Sequence, residues 1–158
     1  MSWTAAAWDG GFLALDRNGN GKIDNASELF SNLAPQPATP GKVGNGFLAL
    51  AVYDLPANGG NGDGWIDAQD TIFSKLLVWV DLNHNGVSDP GELLTLKQAG
   101  IQAISLTYSL NKWKDAFGNT FRYSAPSRTN TSPNQPVYDV LLQSNGKTSA
   151  TTAATKQK

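Results

Sequence analysis

Apolar positions along the chain come in short bursts separated by polar, glycine-rich gaps, not in long periodic runs. The first burst, Trp8-Asp-Gly-Gly-Phe-Leu-Ala-Leu15, reads as a short incoming helix with Phe12, Leu13 and Leu15 apolar. Its core, Gly-Phe-Leu-Ala-Leu at 11–15, returns at 46–50. Gly46 to Tyr53 is therefore predicted as a second helix that packs Phe47, Leu48 and Leu50 inward. Between the two, residues 33–45 hold Pro35, Pro37 and Pro40 and read as a linker, because proline blocks both helix and central strand. Short exit helices are predicted over Ser27–Asn32, Asp70–Lys75 and Glu92–Ala99, the last stopped by Gly100. Leu76-Leu-Val-Trp-Val80 is β-branched and aromatic and reads as a strand. Beyond Gly100, three strands are predicted: Ile101–Tyr108, Lys114–Tyr123 around a Gly-Asn turn, and Val137–Leu142, with a polar loop over 124–136. The Thr/Ala/Lys stretch 144–158 is expected to be a disordered tail. The pattern predicts an α+β fold: tandem EF-hand-like loops with short helices, packed on a small C-terminal antiparallel sheet, as one domain over residues 1–143.

The polar gaps carry the candidate chemistry. Asp81 to Glu92 places oxygen-bearing side chains at loop positions 1 (Asp81), 3 (Asn83), 5 (Asn85), 9 (Asp89) and 12 (Glu92). Gly86 stands at position 6, where an EF-hand loop turns sharply, and Val87 at position 7 would offer its carbonyl. A hard cation such as Ca²⁺ takes six to eight oxygens, and this order wraps one short segment around it. Asn-Gly and Asp-Pro are common turn formers, but a turn alone does not require Glu at position 12 or acids at 1 and 9. The loop over 16–28 offers Asp16, Asn18, Asn20, the Lys22 carbonyl and Asp24 in the same order. Position 12 is Ser27, however, and the glutamate follows as Glu28. Glu28 either closes the loop one residue late or serves a capping box with Asn25. Ile23, at position 8, is placed to pair its backbone with a neighbouring loop. The loop over 54–70 supplies Asn61, Asp63, the Trp65 carbonyl, Asp67 and Asp70, but its position 1 is Gly59. Asp54, displaced by an inserted Leu-Pro-Ala-Asn-Gly, is the expected first ligand, with Asn58 as competitor. Two to three calcium ions are expected.

Composition narrows the alternatives. The chain has 158 residues, enough for one compact core, and no cysteine, so disulfides and thiolate sites are excluded. The net charge of −1 hides an asymmetry: residues 1–93 carry 11 acids against Arg17, Lys22, Lys42 and Lys75, while residues 94–158 carry 2 acids against 8 bases. Ten of the 13 acids, including both glutamates, fall inside the three loops, whereas an ordinary solvated acidic face scatters its charges. The bases are spread without a cluster, so no nucleic-acid partner is expected. No apolar run reaches membrane-spanning length, and no membrane partner is expected. The start, Met1 to Trp8, lacks the features of a signal peptide and reads as an internal cut in a longer protein. His84, at position 4, is expected to face outward; Trp65 and Trp79 are expected in the core; Trp3 and Trp8 are candidates to cover a face toward a flanking segment. One histidine and no cysteine leave few nucleophile–base pairs, so no catalytic residue is assigned.

Four ordered stretches carry a resemblance: Phe12 to Asp24 with Glu28-Leu-Phe30, Asn61 to Asp67, Val78 to Ser88 with Gly91-Glu-Leu93, and Gly100 to Leu106. Over about residues 9–142 they resemble the EF-hand-like region of large secreted bacterial calcium-binding proteins. They are similar to the self-processing module of RTX proteins of the FrpC type. The resemblance implies a module that is loose without calcium and folds or rigidifies on binding it outside the cell; a monomer flanked by other domains of a larger protein is expected. In the processing members it implies calcium-triggered cleavage of an Asp-Pro bond just upstream, with the new aspartyl end able to join a lysine amine. The only Asp-Pro here, Asp89–Pro90, lies inside the third loop.

Overall fold

The computed structural model describes residues 2–3, 11–31, 34–38, 40–41, 44–83, 85–114, 120–144 and 147–153, with backbone alone at 2, 3, 26, 112, 141–144 and 147–153. The expectations for Trp8, for the side chain of Trp3, for His84, for the Gly-Asn turn at 118–119 and for the tail beyond 153 lie outside the described residues. Ten strands run in chain order: β1 Ser2–Trp3, β2 Gly11–Ala14, β3 Trp65–Asp67, β4 Leu77–Trp79, β5 Leu93–Thr95, β6 Ile101–Ser105, β7 Ser109–Lys114, β8 Thr120–Thr129, β9 Gln135–Ser144 and β10 Lys147–Ala153. They join in one antiparallel sheet of order β3-β6-β8-β9-β1-β2-β4-β5, with β7 on β8 and β10 on β9. A single α-helix is described, α1 Gly46–Ala51, continued by a 3-10 turn over Val52–Asp54.

This corrects the expected α+β fold. The loops are not set between EF-hand helices on a small sheet; the sheet is the body of the molecule. The incoming segment of the first loop is β2, not a helix, and the exit at Glu92–Ala99 begins with β5. Over the described residues 27–31 the first exit shrinks to a 3-10 turn, Ala26–Glu28, and the exit at 70–75 to a 3-10 turn, Thr71–Lys75. Residues 124–136, expected as a loop, mostly extend β8 and β9, and β10 lies within the stretch expected to be disordered.

Tertiary partners explain the change at β2. Gly11 lets the neighbouring strand approach: a Cβ there would stand 2.5 Å from Val78 Cγ1. With Leu13 paired to Val78 and Ala14 to Leu77, both buried, β2 gains two strand neighbours that local propensity cannot foresee. The main core gathers Leu13, Phe30, Phe47, Leu50, Ile66, Leu76, Val78, Leu96, Ile101 and Ile104 under the sheet. In α1, Phe47 and Leu50 are buried as expected, with Ala49 in place of Leu48. Trp79 is buried beside Phe12, while Trp65 stays half-exposed beneath the Arg128 guanidinium, 4.1 Å from its ring centre.

Candidate functional site

The first acid of each loop turns back on its own backbone. Asp16 accepts from Gly19, Asn20 and Gly21 N–H, the last at 2.7 Å. Asp81 accepts from Asn85 and from Gly86 at 2.8 Å. Asp54 accepts from Gly62 and from Gly64 at 2.9 Å. The glycine at position 6 thus donates to the first acid in all three loops, with φ of 80°, 72° and 85° at Gly21, Gly86 and Gly64. L side chains avoid that backbone region, which is why glycine is needed there. Asp54 therefore takes the place that Gly59 cannot fill. The inserted Leu55–Gly59 bulges out as a 3-10 turn over Pro56–Asn58, and Asn58 instead donates to the Val52 carbonyl.

The middle positions repeat as well. Asn18, Asn61 and Asn83 accept from the N–H of residues 20, 63 and 85. Asn20, Asp63 and Asn85 accept from Lys22, Trp65 and Val87. These Asx turns coil the loop by local bonds alone. Asn18 and Asn20 both donate to Asp24 Oδ2, and Asn83 and Asn85 both donate to Asp89 Oδ2. Those amide bonds, with help from Lys22, hold the Asp24 and Asp89 carboxyls below the ordinary carboxylate range. In the second loop Asp67 accepts from Gln69, and Asn61 reaches Asp63 and Gln69.

The last acid closes each loop. Glu28 accepts from Arg17 and Asp24 N–H, Asp70 from Asn61 and Asp67, and Glu92 from Leu82 and Asp89. The Glu28 carboxylate thus faces the loop, and Asn25 makes its own turn with Ser27. Trp79 Nε1 adds a 3.4 Å bond to Glu92. Glu28, Asp54, Asp70 and Glu92 are all buried, between 2% and 7% exposed. Burial, with Asp54 and Asp67 nearby, pushes the Asp70 carboxyl up. Among the described residues the one ion pair is Arg122–Asp139, so none of these four has a basic partner. Also among the described residues, no three Asp, Glu, His or Cys side chains stand together as a metal site, although each loop carries at least three acids.

The loops are anchored in two ways. The first and third are hairpin tips on adjacent strands, closed by Leu15 N–H to the Glu28 carbonyl and Val80 N–H to the Glu92 carbonyl. The second sits between α1 with its 3-10 extension and the turn at Thr71–Lys75, with β3 paired to β6. Ser88 was not among the expected site residues. Its buried hydroxyl accepts from Ile23 N–H at 2.8 Å and donates to the Ile23 carbonyl at 3.3 Å, joining loops 65 residues apart. The apolar residue at position 8 of the first loop was the available clue; a serine at the matching place of the third reads only as a turn former.

The family model of the SPM domain matches residues 1–143. The chain belongs to the SPM domain family. The iron-regulated protein FrpA of Neisseria meningitidis serogroup C is 37% identical over 142 residues, which cover 88% of this chain and 12% of that protein. The chain thus spans only 12% of the length of that relative. All three loops lie within the matched span.

Proposed function

We propose that this SPM domain is a calcium-binding module of a larger secreted bacterial protein, rigidified by two to three Ca²⁺ ions. The observation that carries the reading is the set of four buried loop carboxylates without a basic partner among the described residues. An unpaired buried charge costs several kcal/mol, and a bound dication removes that cost. The donor set is all oxygen, which suits a hard cation and no thiophilic metal. Asp16, Asn18, Asn20, the Lys22 carbonyl, Asp24 and Glu28 would hold one ion. Asp81, Asn83, Asn85, the Val87 carbonyl, Asp89 and Glu92 would hold the second. Asp54, Asn61, Asp63, the Trp65 carbonyl, Asp67 and Asp70 would hold the third. The ion supplies positive charge at each loop centre; the chain supplies acids already oriented by backbone N–H groups. Mg²⁺ should compete poorly, because it demands a smaller, near-ideal octahedron. Extracellular modules work at Kd of about 10⁻⁴–10⁻³ M, which suits a site outside the cell.

Calorimetric titration after chelator treatment, with thermal melting in parallel, tests this. Two or three sites are expected. At ten times Kd each ion adds about 1.4 kcal/mol to stability, which raises the melting temperature. Identical melting in chelator and in calcium would remove the proposal. The Asp89–Pro90 bond lies in the third loop, where Asp89 receives two asparagine amides, so we assign it no cleavage role.

A further inference from the structure

We propose that the first and third loops fill with calcium as one cooperative pair, linked by the Ser88 hydroxyl, while the second loop fills on its own. This rests on the calcium reading above. Ile23 and Ser88 occupy the same place, position 8, in their respective loops. Each directly precedes an acid, Asp24 or Asp89, assigned to an ion. Both are buried, at 7% and 5% exposure, and one hydroxyl bonds both the N–H and the carbonyl of Ile23. A backbone shift at Asp24 therefore cannot leave the Ser88–Asp89 segment undisturbed without breaking a buried bond. The stems reinforce the link, because β2 and β4 pair directly at Leu13–Val78 and Ala14–Leu77.

The second loop is wired elsewhere. Its position-8 residue, Ile66, pairs with Ile104 of β6, and Leu106 N–H bonds the Gly64 carbonyl. Ordering the first loop thus lowers the ordering cost of the third and not that of the second. By linkage the effect is reciprocal, with couplings of about 5–150-fold being usual.

Calcium titration of the ¹⁵N-labelled chain, read by nuclear magnetic resonance, tests the pairing. The Trp79 indole N–H reports the third loop through Glu92, Gly21 N–H the first through Asp16, and Gly64 N–H the second through Asp54. Glu28→Gln weakens the first loop directly. It is expected to move the Trp79 midpoint to at least about five-fold higher calcium, while Gly64 stays put. Glu92→Gln, read at Gly21, gives the reciprocal arm and serves if the first variant fails to fold. Adding Ser88→Ala to either variant should abolish the remote shift, as a double-mutant cycle requires. An unmoved Trp79 midpoint in Glu28→Gln and an unmoved Gly21 midpoint in Glu92→Gln would overturn the pairing while leaving calcium binding intact. A remote shift that survives Ser88→Ala would overturn the role of the hydroxyl. If none of the three resonances responds to calcium in the unaltered chain, the calcium reading itself falls, and the coupling with it.

Discussion

Asp54 reaches the front of the second loop because Gly60 gives it room. A Cβ on Gly60 would overlap the Asp54 carbonyl group, which is backbone and cannot swing aside. Gly60→Ala is therefore expected to destabilise the chain by about 1–3 kcal/mol, as overpacking does. Chemical denaturation measures the loss, and the Gly64 resonance should shift while that of Gly21 holds. Much of the loops' hydrogen bonding was legible one residue at a time. Asp16, Asp81, Gly21 and Gly86 follow from spacing because their bonds span at most five residues. Asp54 was readable as the nearest acid before the insertion. Ser88 was not, because its partner is 65 residues away and a serine in a turn has many ordinary uses.

At the scale of elements, Gly-Phe-Leu-Ala-Leu is the instructive case: the copy at 11–15 supplies strand β2, Gly11–Ala14, and the copy at 46–50 lies in helix α1, Gly46–Ala51. Five apolar residues do not encode which. At the second copy Asn45 decides locally, its side chain accepting from Leu48 N–H as an N-cap, while Asp139 accepts from Gly46 N–H. At the first copy the decision is made by β1 and β4 on either side. Asn45→Ala should cost about 0.5–2 kcal/mol, the usual loss of such a cap, and reduce helical circular dichroism before the sheet melts. The exit helices failed for a related reason. Leu93 to Thr95 has a strand beside it to join, and that pairing outweighs the weak preference of so short a segment.

For the whole molecule, the Arg122–Asp139 pair fastens the start of α1 to the sheet, since Arg122 also donates to the Gly44 carbonyl. Burial lifts the Asp139 carboxyl above its ordinary 3.8, against the pull of Arg122. The native chain then holds that proton more tightly than the unfolded chain. Lowering the pH from neutral through the raised value toward 3.8 favours folding through this group, and raising it again removes the gain. Asp139→Asn abolishes the titration, so across that window the stability difference should move in favour of the unaltered chain as pH falls. Urea unfolding of both proteins at several pH values checks the sign.

The bonds that close the first and third loops carry one further consequence. Glu28 and Glu92 each hold a strand neighbour through the backbone carbonyl while the side chain belongs to the loop. No lever arm separates the two, as a swinging helix would in a sensor that opens a groove. A tug on either carboxylate is felt at once by the rungs beneath it. Under the calcium reading proposed above, an ion at either loop would stiffen the strand ends directly and leave the outline of the sheet as it is.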